Sequence, residues 1–186
     1  MLREQVVQAG GVELTLLRPA VPEELIDEEA FDEDEFLPYW AELWPAATAL
    51  AAALPETLAG VRVVELGCGL GVPSLVAAGR GAEVTALDWA EDAVSLLRQN
   101  AARNGLGLTV TVHDWREPLA ARFDLALAAD VLYERRNVEP VLERLREAAP
   151  VALVGLAGRP YEAEFLRQAD PVDHLADRVV RLSLRS

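Results

Sequence analysis

Lysine is absent from this chain, because all 17 basic residues among the 186 are arginine. No lysine can therefore act as a general base, form a Schiff base or clamp a phosphate. Cysteine occurs once, as Cys68, and histidine twice, as His113 and His174. A single thiol cannot form an internal disulfide, and one cysteine with two histidines is a poor zinc ligand set. We therefore expect no metal.

Long apolar runs and an excess of positive charge are also missing. No run could span a bilayer, and the first residues lack the basic and apolar regions of a secretory signal. We expect a single cytoplasmic domain over residues 1–186, without a membrane partner. The 31 acidic residues give a net charge of −14. This charge disfavours a nucleic-acid partner and favours cationic ones.

The first part of the chain, residues 1–36, divides into two segments. Residues Glu4 to Leu17 alternate around Gly10-Gly11, which predicts a β-hairpin. Nine acids and no base then lie between Glu23 and Glu35. Composition favours a solvated lead-in for this run, and the alternative is an acidic collar that attracts a basic substrate.

The remaining residues, 37–186, are organised around the stretch from Val61 to Val72. Its first half is a short apolar run typical of a strand buried on both faces. Three alternate glycines follow, Gly67, Gly69 and Gly71, which allow a sharp turn and a close approach of backbone to ligand. Pro73 supplies the φ angle of a helix's first turn. Strand, glycine turn and helix together predict the start of a βαβ unit.

The same alternation continues to the end of the chain. Further strands are predicted at 83–87, 108–112, 123–129 and 151–156, with helices at 90–103, 138–148 and 161–168, and a last hairpin turning at Ala176-Asp177. Another helix is predicted between Pro45 and Pro55. We therefore expect an α/β fold, a doubly wound, Rossmann-like, seven-stranded and mostly parallel sheet with helices on both faces and an antiparallel final strand.

Polar side chains follow the carboxyl ends of the predicted strands, where open α/β sheets bind ligands. They are Glu65, Asp88, Asp114 with Trp115, and Asp130 with Tyr133. A tyrosine and two tryptophans also crowd the start of the helix at Pro45. They form either core packing or an aromatic wall over a ligand.

The glycine turn fits S-adenosylmethionine better than a dinucleotide. The dinucleotide pattern would need glycine at position 72, where Val72 stands. Pro73 lacks an N–H at the helix start, and Glu65 adds negative charge, so a pyrophosphate would be poorly bound. S-adenosylmethionine carries no phosphate, and carboxylates around its amino acid, ribose and adenine are expected.

The series Glu-Leu-Gly-Cys-Gly-Leu-Gly, then Asp88, then Asp114-Trp115, resembles the class I S-adenosylmethionine-dependent methyltransferases. The resemblance extends from Tyr39 to Leu184. Within that superfamily, Leu-Trp-Pro-Ala-Ala at 43–47 and Asp-Val-Leu-Tyr at 130–133 are similar to the seven-strand protein-lysine methyltransferases. The group that modifies the electron-transfer flavoprotein β subunit is especially similar, and Gly-Arg-Pro-Tyr at 158–161 also fits it.

The resemblance implies roles for individual residues. The glycines would lie under the methionine and ribose, Glu65 near the amino group, Asp88 at both ribose hydroxyls and Asp114 at the adenine amino group. The implied cofactor-binding set is Trp44, Glu65, Gly67, Cys68, Gly69, Gly71, Asp88, Trp89, Asp114, Trp115 and Ala129. Asp130 and Tyr133 would be the catalytic pair that orients a lysine amine. Two simpler roles stay open, namely packing for Trp115 and capping of the next turn for Asp114.

The resemblance and the charge together predict methyl transfer from S-adenosylmethionine to a lysine of a basic protein, with S-adenosylhomocysteine as product. The alternatives are a small-molecule methyltransferase, an NAD-type oxidoreductase and a catalytically silent S-adenosylmethionine-binding module. A glycine-rich turn followed by an acid such as Asp88 is common to S-adenosylmethionine and dinucleotide enzymes, so these two features alone do not separate the alternatives.

Overall fold

The computed structural model describes residues 1–21, 39–169 and 172–184, so the acidic run from Glu23 to Glu35 lies outside the described residues. The strands are β1 (Leu2–Ala9), β2 (Val12–Pro19), β3 (Arg62–Leu66), β4 (Glu83–Asp88), β5 (Thr109–Val112), β6 (Leu125–Ala129), β7 (Val151–Gly155), β8 (Val172–Ala176) and β9 (Val179–Ser183). The helices are α1 (Pro45–Ala53), α2 (Val72–Gly79), α3 (Glu91–Arg103), α4 (Val138–Ala148) and α5 (Glu162–Gln168). Short 3-10 turns cover Tyr39–Ala41 and Arg135–Asn137.

Strands β3 to β9 form one seven-stranded sheet in the order β5-β4-β3-β6-β7-β9-β8. The first five strands of that order are parallel, and β9 runs antiparallel to both of its neighbours. The predicted fold class, including the antiparallel last strand and the N-terminal hairpin, is confirmed. The chain moves outward from β3 in one direction and from β6 in the other, which opens a crevice at the carboxyl ends of these two central strands.

Strand β3 is buried on both faces because helices cover both sides of the sheet. Val63 packs in a core with Leu50 of α1 and Leu75 of α2, whereas Val64 faces a second core with Leu142 of α4 and Phe165 of α5. Successive strand residues point to opposite faces, so a continuous apolar run is needed here. This burial fixes the strand end from which the glycine turn starts.

The N-terminal hairpin packs on α3 through two asparagines whose side chains form hydrogen bonds with the backbone of β2, as a neighbouring strand would. The Asn100 side chain accepts from the Leu17 N–H at 2.7 Å and donates to the Leu17 carbonyl at 3.1 Å. Asn104, one helical turn later, makes the same pair with Thr15, at 2.9 Å in both directions. Because residues four apart share a helix face and residues two apart share a strand edge, the two spacings match. The backbone N–H and carbonyl groups of Thr15 and Leu17 on the free edge of β2 thereby have hydrogen-bond partners, and the hairpin is fixed to the core.

The turn of the C-terminal hairpin differs from its prediction by one residue. Strand β8 continues to Ala176, so the turn is Asp177-Arg178 and not Ala176-Asp177. The pairing register shifts between His174 and Ala176, and this irregularity lengthens β8 by one residue. Within the part of the chain that the structure describes, no helix is long and apolar enough to cross a membrane.

Candidate active site

A cleft opens at the carboxyl ends of β3, β4, β5 and β6, with a volume of about 1230 Å³ that includes its solvent-open mouth. The loops that follow these four parallel strands meet there, as expected where the direction of the strand order reverses between β3 and β6. All thirteen residues that the sequence predicted for the site line this cleft: Trp44, Glu65, Gly67, Cys68, Gly69, Gly71, Asp88, Trp89, Asp114, Trp115, Ala129, Asp130 and Tyr133. Tyr39, Glu42 and Asn137 also line it, although they were not in the predicted set.

The glycine turn uses its glycines for two different purposes. Gly67 has a φ of 64°, and a Cβ there would lie 2.8 Å from a ring carbon of Trp115, so its absence lets the indole approach the turn. Gly71 has a φ of 73°, and its Cβ would lie 2.2 Å from Leu97 of α3. Gly71 therefore serves packing between the turn and a helix, while Gly67 shapes the cleft.

Glu65, at the buried end of β3, is held by Ser74 of α2. Its carboxyl accepts the Ser74 backbone N–H at 2.9 Å and also contacts the Ser74 hydroxyl. Burial raises the pKa of Glu65 from 4.5 to about 8, with a smaller contribution from the charge of Asp88. The carboxyl is thus mostly protonated at neutral pH. Sequence reasoning did not find Ser74, whose position in the first turn after Pro73 is the signal that could have indicated it.

Asp88, the last residue of β4, ties the glycine turn to the neighbouring strand. Its carboxylate accepts the Gly69 N–H at 2.8 Å and the Ala90 N–H at 3.0 Å, one bond on each oxygen. Burial raises its pKa, against the opposing effect of these bonds. A carboxylate has about four acceptor positions, so Asp88 keeps capacity for a hydrogen bond from a ligand hydroxyl.

Asp114 follows β5 and is held by Arg116. It accepts the Arg116 backbone N–H at 2.8 Å and the Arg116 Nε–H at 2.8 Å, and this pairing lowers its pKa. The capping role that the sequence left open for Asp114 is therefore present. Trp115 packs against the second core and also lines the cleft. Its position therefore suits both the packing role and the place beside the adenine that were considered for it.

Four aromatic rings form a row along the cleft. Tyr39 lies 6.3 Å from Trp44 and 4.7 Å from Tyr133, and Tyr133 lies 6.3 Å from Trp115, measured between ring centroids. The Trp44 Nε1–H donates to the Tyr39 carbonyl at 2.7 Å, which fixes the two ends of the entrance segment, residues 39–44, to each other. The other two tryptophans of the chain, Trp40 and Trp89, also line this cleft, so all four tryptophans do.

Asp130 begins the loop after β6 in a left-handed backbone conformation, with a φ of 54°. Its N–H donates to the carbonyl of Gly155, and its carboxylate binds Arg159 through two bonds of 2.8 and 2.9 Å. The Arg159 guanidinium lies 5.3 Å from the centre of the Trp44 ring. Sequence reasoning assigned no role to Arg159, because only the fold brings the loop after β7 beside the end of β6.

Among the residues that the structure describes, every acidic side chain that lines the cleft has a partner. Four pair with arginines: Glu42 with Arg18, Asp114 with Arg116, Asp130 with Arg159 and Glu134 with Arg136. The other two, Glu65 and Asp88, bind N–H and hydroxyl donors as described above. The described lining of the cleft is therefore close to charge-compensated.

The chain is similar to known methyltransferases in both sequence and structure. A family described as "Methyltransferase domain" matches residues 58–157, which are 100 of the 186 residues. A protein N-terminal and lysine N-methyltransferase from Emericella nidulans is 33% identical over 153 residues, covering 67% of this chain and 58% of the relative. The electron transfer flavoprotein beta subunit lysine methyltransferase from Danio rerio is 35% identical over 134 residues, covering 69% of this chain and 52% of the relative.

Matches to other kinds of methyltransferase are of similar quality. A magnesium-protoporphyrin O-methyltransferase from Rhodobacter capsulatus is 30% identical over 108 residues, covering 56% of this chain and 48% of the relative. Among solved structures, the T. thermophilus 16S rRNA N2 G1207 methyltransferase in complex with AdoMet and guanosine has a TM-score of 0.70 and 21% identity, covering 100% of this chain and 51% of that one. The chain spans about half the length of the relatives it matches.

Proposed function

The chain belongs to the class I S-adenosylmethionine-dependent methyltransferases, and from this premise we propose that it methylates a lysine side chain of a protein substrate. The observation that carries the proposal is the placement of Tyr133, at the end of the Asp-Val-Leu-Tyr stretch, in the aromatic row of the cleft. Two relatives of about one-third identity, named above as lysine methyltransferases, support the same acceptor.

The residues of the cleft fit S-adenosylmethionine, the cofactor of the family. Bound there, it would supply a methyl group on a sulfonium, with the leaving group already in place. Buried acceptors at Asp88 and Glu65 suit hydroxyl and amino donors. A pyrophosphate would bind poorly here, because it would face these carboxyls and because Pro73, in the first turn of α2, has no N–H to donate. We propose Asp88 for the ribose hydroxyls, Glu65 for the amino group and Trp115 beside the adenine.

A lysine acceptor must lose a proton before it attacks, because the unperturbed pKa of its amine is about 10.4. We propose that Tyr133 orients this amine through its hydroxyl. Burial, followed by the charges of Asp88 and Glu134, raises the Tyr133 pKa well above its usual value, so the hydroxyl stays protonated. Tyr39 and Trp44 offer aromatic faces to the remaining positive charge and exclude water from the reacting groups.

The role of Asp130 differs from that of Tyr133. The side chain of Asp130 is 1% exposed, and both carboxylate oxygens bind Arg159. Because this carboxylate is almost fully buried and both of its oxygens already bind the guanidinium, it offers an amine little access. We therefore propose that Tyr133 contacts the acceptor and that Asp130 acts on the cleft through Arg159.

The partner that we propose is a basic protein segment and not a nucleic acid, with the protein acting in the cytoplasm. The excess of acid over base on the whole chain favours encounter with a cationic surface. We also propose that the hairpin and the sheet form one domain, because Val7 and Leu14 of the hairpin pack in the same core as Leu50 and Val63.

The test is incubation with S-adenosylmethionine labelled in its methyl group and lysate of a strain that lacks the protein, followed by mass spectrometry of labelled species. Label on lysine of a protein is expected, and Tyr133→Phe should greatly reduce it. Because this chain has no lysine, label on the enzyme itself would have to lie on another group. Label confined to other side chains or to nucleic acid would contradict the proposal.

A second candidate is methylation of a small molecule. The charge compensation of the cleft favours it, because a cleft of paired carboxylates does not itself select a cationic acceptor. The match to an O-methyltransferase of a porphyrin is consistent with it. In the same experiment, label in the low-molecular-weight filtrate and none on protein would favour this candidate. S-adenosylhomocysteine binding without any transfer would instead indicate a silent binding module.

A further inference from the structure

Arg159 connects two parts of the cleft wall that are far apart in the chain. It binds Asp130 at the end of β6 with both oxygens, and its guanidinium lies 5.3 Å from the ring centre of Trp44, which precedes α1. Asp130 and Trp44 line the cleft, whereas Arg159 is not among the lining residues. The guanidinium therefore bridges the two wall residues from outside the cavity.

The bridge has the features of a fixed contact. The planar guanidinium can bind a carboxylate with two parallel bonds and stack on an aromatic face at the same time, which an ammonium cannot do. Asp130 is 1% exposed and Arg159 is 29% exposed. Removing one partner of so buried an ion pair is strongly destabilising, which favours a contact that stays formed.

Two arginines contact the second half of the entrance segment, residues 39–44. At Glu42 the contact is with Arg18 of β2 at 3.0 Å, and at Trp44 it is with Arg159. Near the start of the segment, the Trp40 carbonyl lies over Gly69, where an added Cβ would be 3.1 Å from the carbonyl oxygen. The segment thus forms a wall over the glycine turn whose position depends on side chains outside the cleft.

We propose that Arg159 is a positioning residue, which acts through Asp130 and Trp44 to hold this entrance wall over the cofactor end of the cleft. The proposal rests on the proposed function, and within it on the cofactor-binding role that the family resemblance implies for Trp44, but not on the identity of the methyl acceptor. It assigns Arg159 no contact with cofactor or acceptor.

A double-mutant cycle with S-adenosylhomocysteine as the ligand tests this role. The four proteins are wild type, Arg159→Met, Trp44→Phe and the double variant, and the dissociation constant is measured by isothermal titration. Each single change should weaken binding about 3- to 10-fold, and the double variant should be no weaker than the worse single variant. Intrinsic fluorescence gives a second readout, because all four tryptophans line the cleft. Arg159→Met should increase quenching by acrylamide.

The matched control is Arg62→Met. Arg62 makes a similar two-bonded pair with Asp124, at the opposite, amino-terminal end of β3. This variant should leave S-adenosylhomocysteine binding and quenching unchanged. If Arg159→Met does not fold, Arg159→Lys replaces it. Lysine keeps the charge beside Asp130 but lacks the planar fork, so it should restore folding more completely than ligand affinity.

Two results would overturn the proposal. One is a normal dissociation constant in Arg159→Met or Trp44→Phe, and the other is a double variant whose loss equals the product of the two single losses. The first would leave Arg159 as a stabilising ion pair only, or remove Trp44 from the cofactor side. Neither result depends on methyl transfer, so failure here is distinct from failure to find a labelled lysine.

Discussion

Glu65→Gln should change how the stability of the protein depends on pH. Glu65 is fully buried at the end of β3, and its carboxyl accepts the Ser74 N–H. Its pKa rises from 4.5 to about 8 because burial disfavours the charged form. Glutamine has nearly the same shape and keeps an oxygen for Ser74, but it does not titrate.

The sign of the effect follows from the direction of the pKa shift. In the unfolded chain Glu65 loses its proton near pH 4.5, whereas in the folded chain it holds the proton up to about pH 8. Between these values the folded state binds more protons, so stability falls as pH rises. The contribution of Glu65 is complete below pH 4.5 and is lost above about pH 8.

The size of the effect follows from the same two values. A pKa difference of one unit corresponds to about 1.4 kcal/mol, so the difference between 4.5 and about 8 corresponds to about 5 kcal/mol of folding stability. The measurement is urea unfolding of wild type and Glu65→Gln at several pH values. Relative to the variant, the wild type should lose about 2.5 kcal/mol between about pH 5.5 and about pH 7.5. Asp88 is present in both proteins, so its own titration largely cancels in the comparison.

The control is Glu83→Gln, which removes one exposed carboxyl at the far end of the neighbouring strand β4. Its stability curve should run parallel to that of the wild type. If the Glu65→Gln curve also ran parallel to the wild type, the buried carboxyl would not be protonated at neutral pH. The account of Glu65 as a proton-bearing acceptor beside Ser74 would then be wrong.

Four further outcomes are expected. Asp88→Ala should weaken S-adenosylhomocysteine binding by about 1 to 3 kcal/mol in isothermal titration, and equal affinity would remove Asp88 from the site. Tyr133→Phe should lower kcat while cofactor affinity stays the same, and normal methylation would leave the acceptor unassigned. Gly71→Ala should lower the thermal unfolding temperature, because the new Cβ would meet Leu97 and the φ of 73° is strained; an unchanged temperature would contradict this. Neutralising the acids from Glu23 to Glu35 should raise KM and flatten its salt dependence with kcat nearly unchanged, and no change at low salt would make the run a solvated lead-in.

The fold could be predicted closely from the sequence because its signals are local. The apolar run before Gly67 is continuous, as a strand buried on both faces requires, and Pro45 and Pro55 bracket α1 closely. Boundaries were less certain where pairing decided them, as in β8, which a register shift extends to Ala176. Such a shift depends on the partner strand and leaves no mark in the local sequence.

The membership of the cleft was also predictable, but the partners of its residues were not. The parallel strand order places Glu65, Asp88, Asp114 and Asp130 at the carboxyl ends of the strands, independently of the contacts that their side chains make. That Asp130 would be held by Arg159 depends on how two loops pack. Sequence reasoning therefore treated as free a carboxylate that the fold pairs.

The sequence by itself determined the order of strands and helices, the sharp turn after β3 and the family. Each of these depends on residue type and short spacing, such as alternate glycines and runs of apolar residues. The tertiary structure alone decided the protonation of Glu65, the pairing of the cleft carboxylates and the attachment of the hairpin through Asn100 and Asn104. These properties depend on burial and on contacts between residues that are distant in the chain, which exist only once the sheet and its helices have packed.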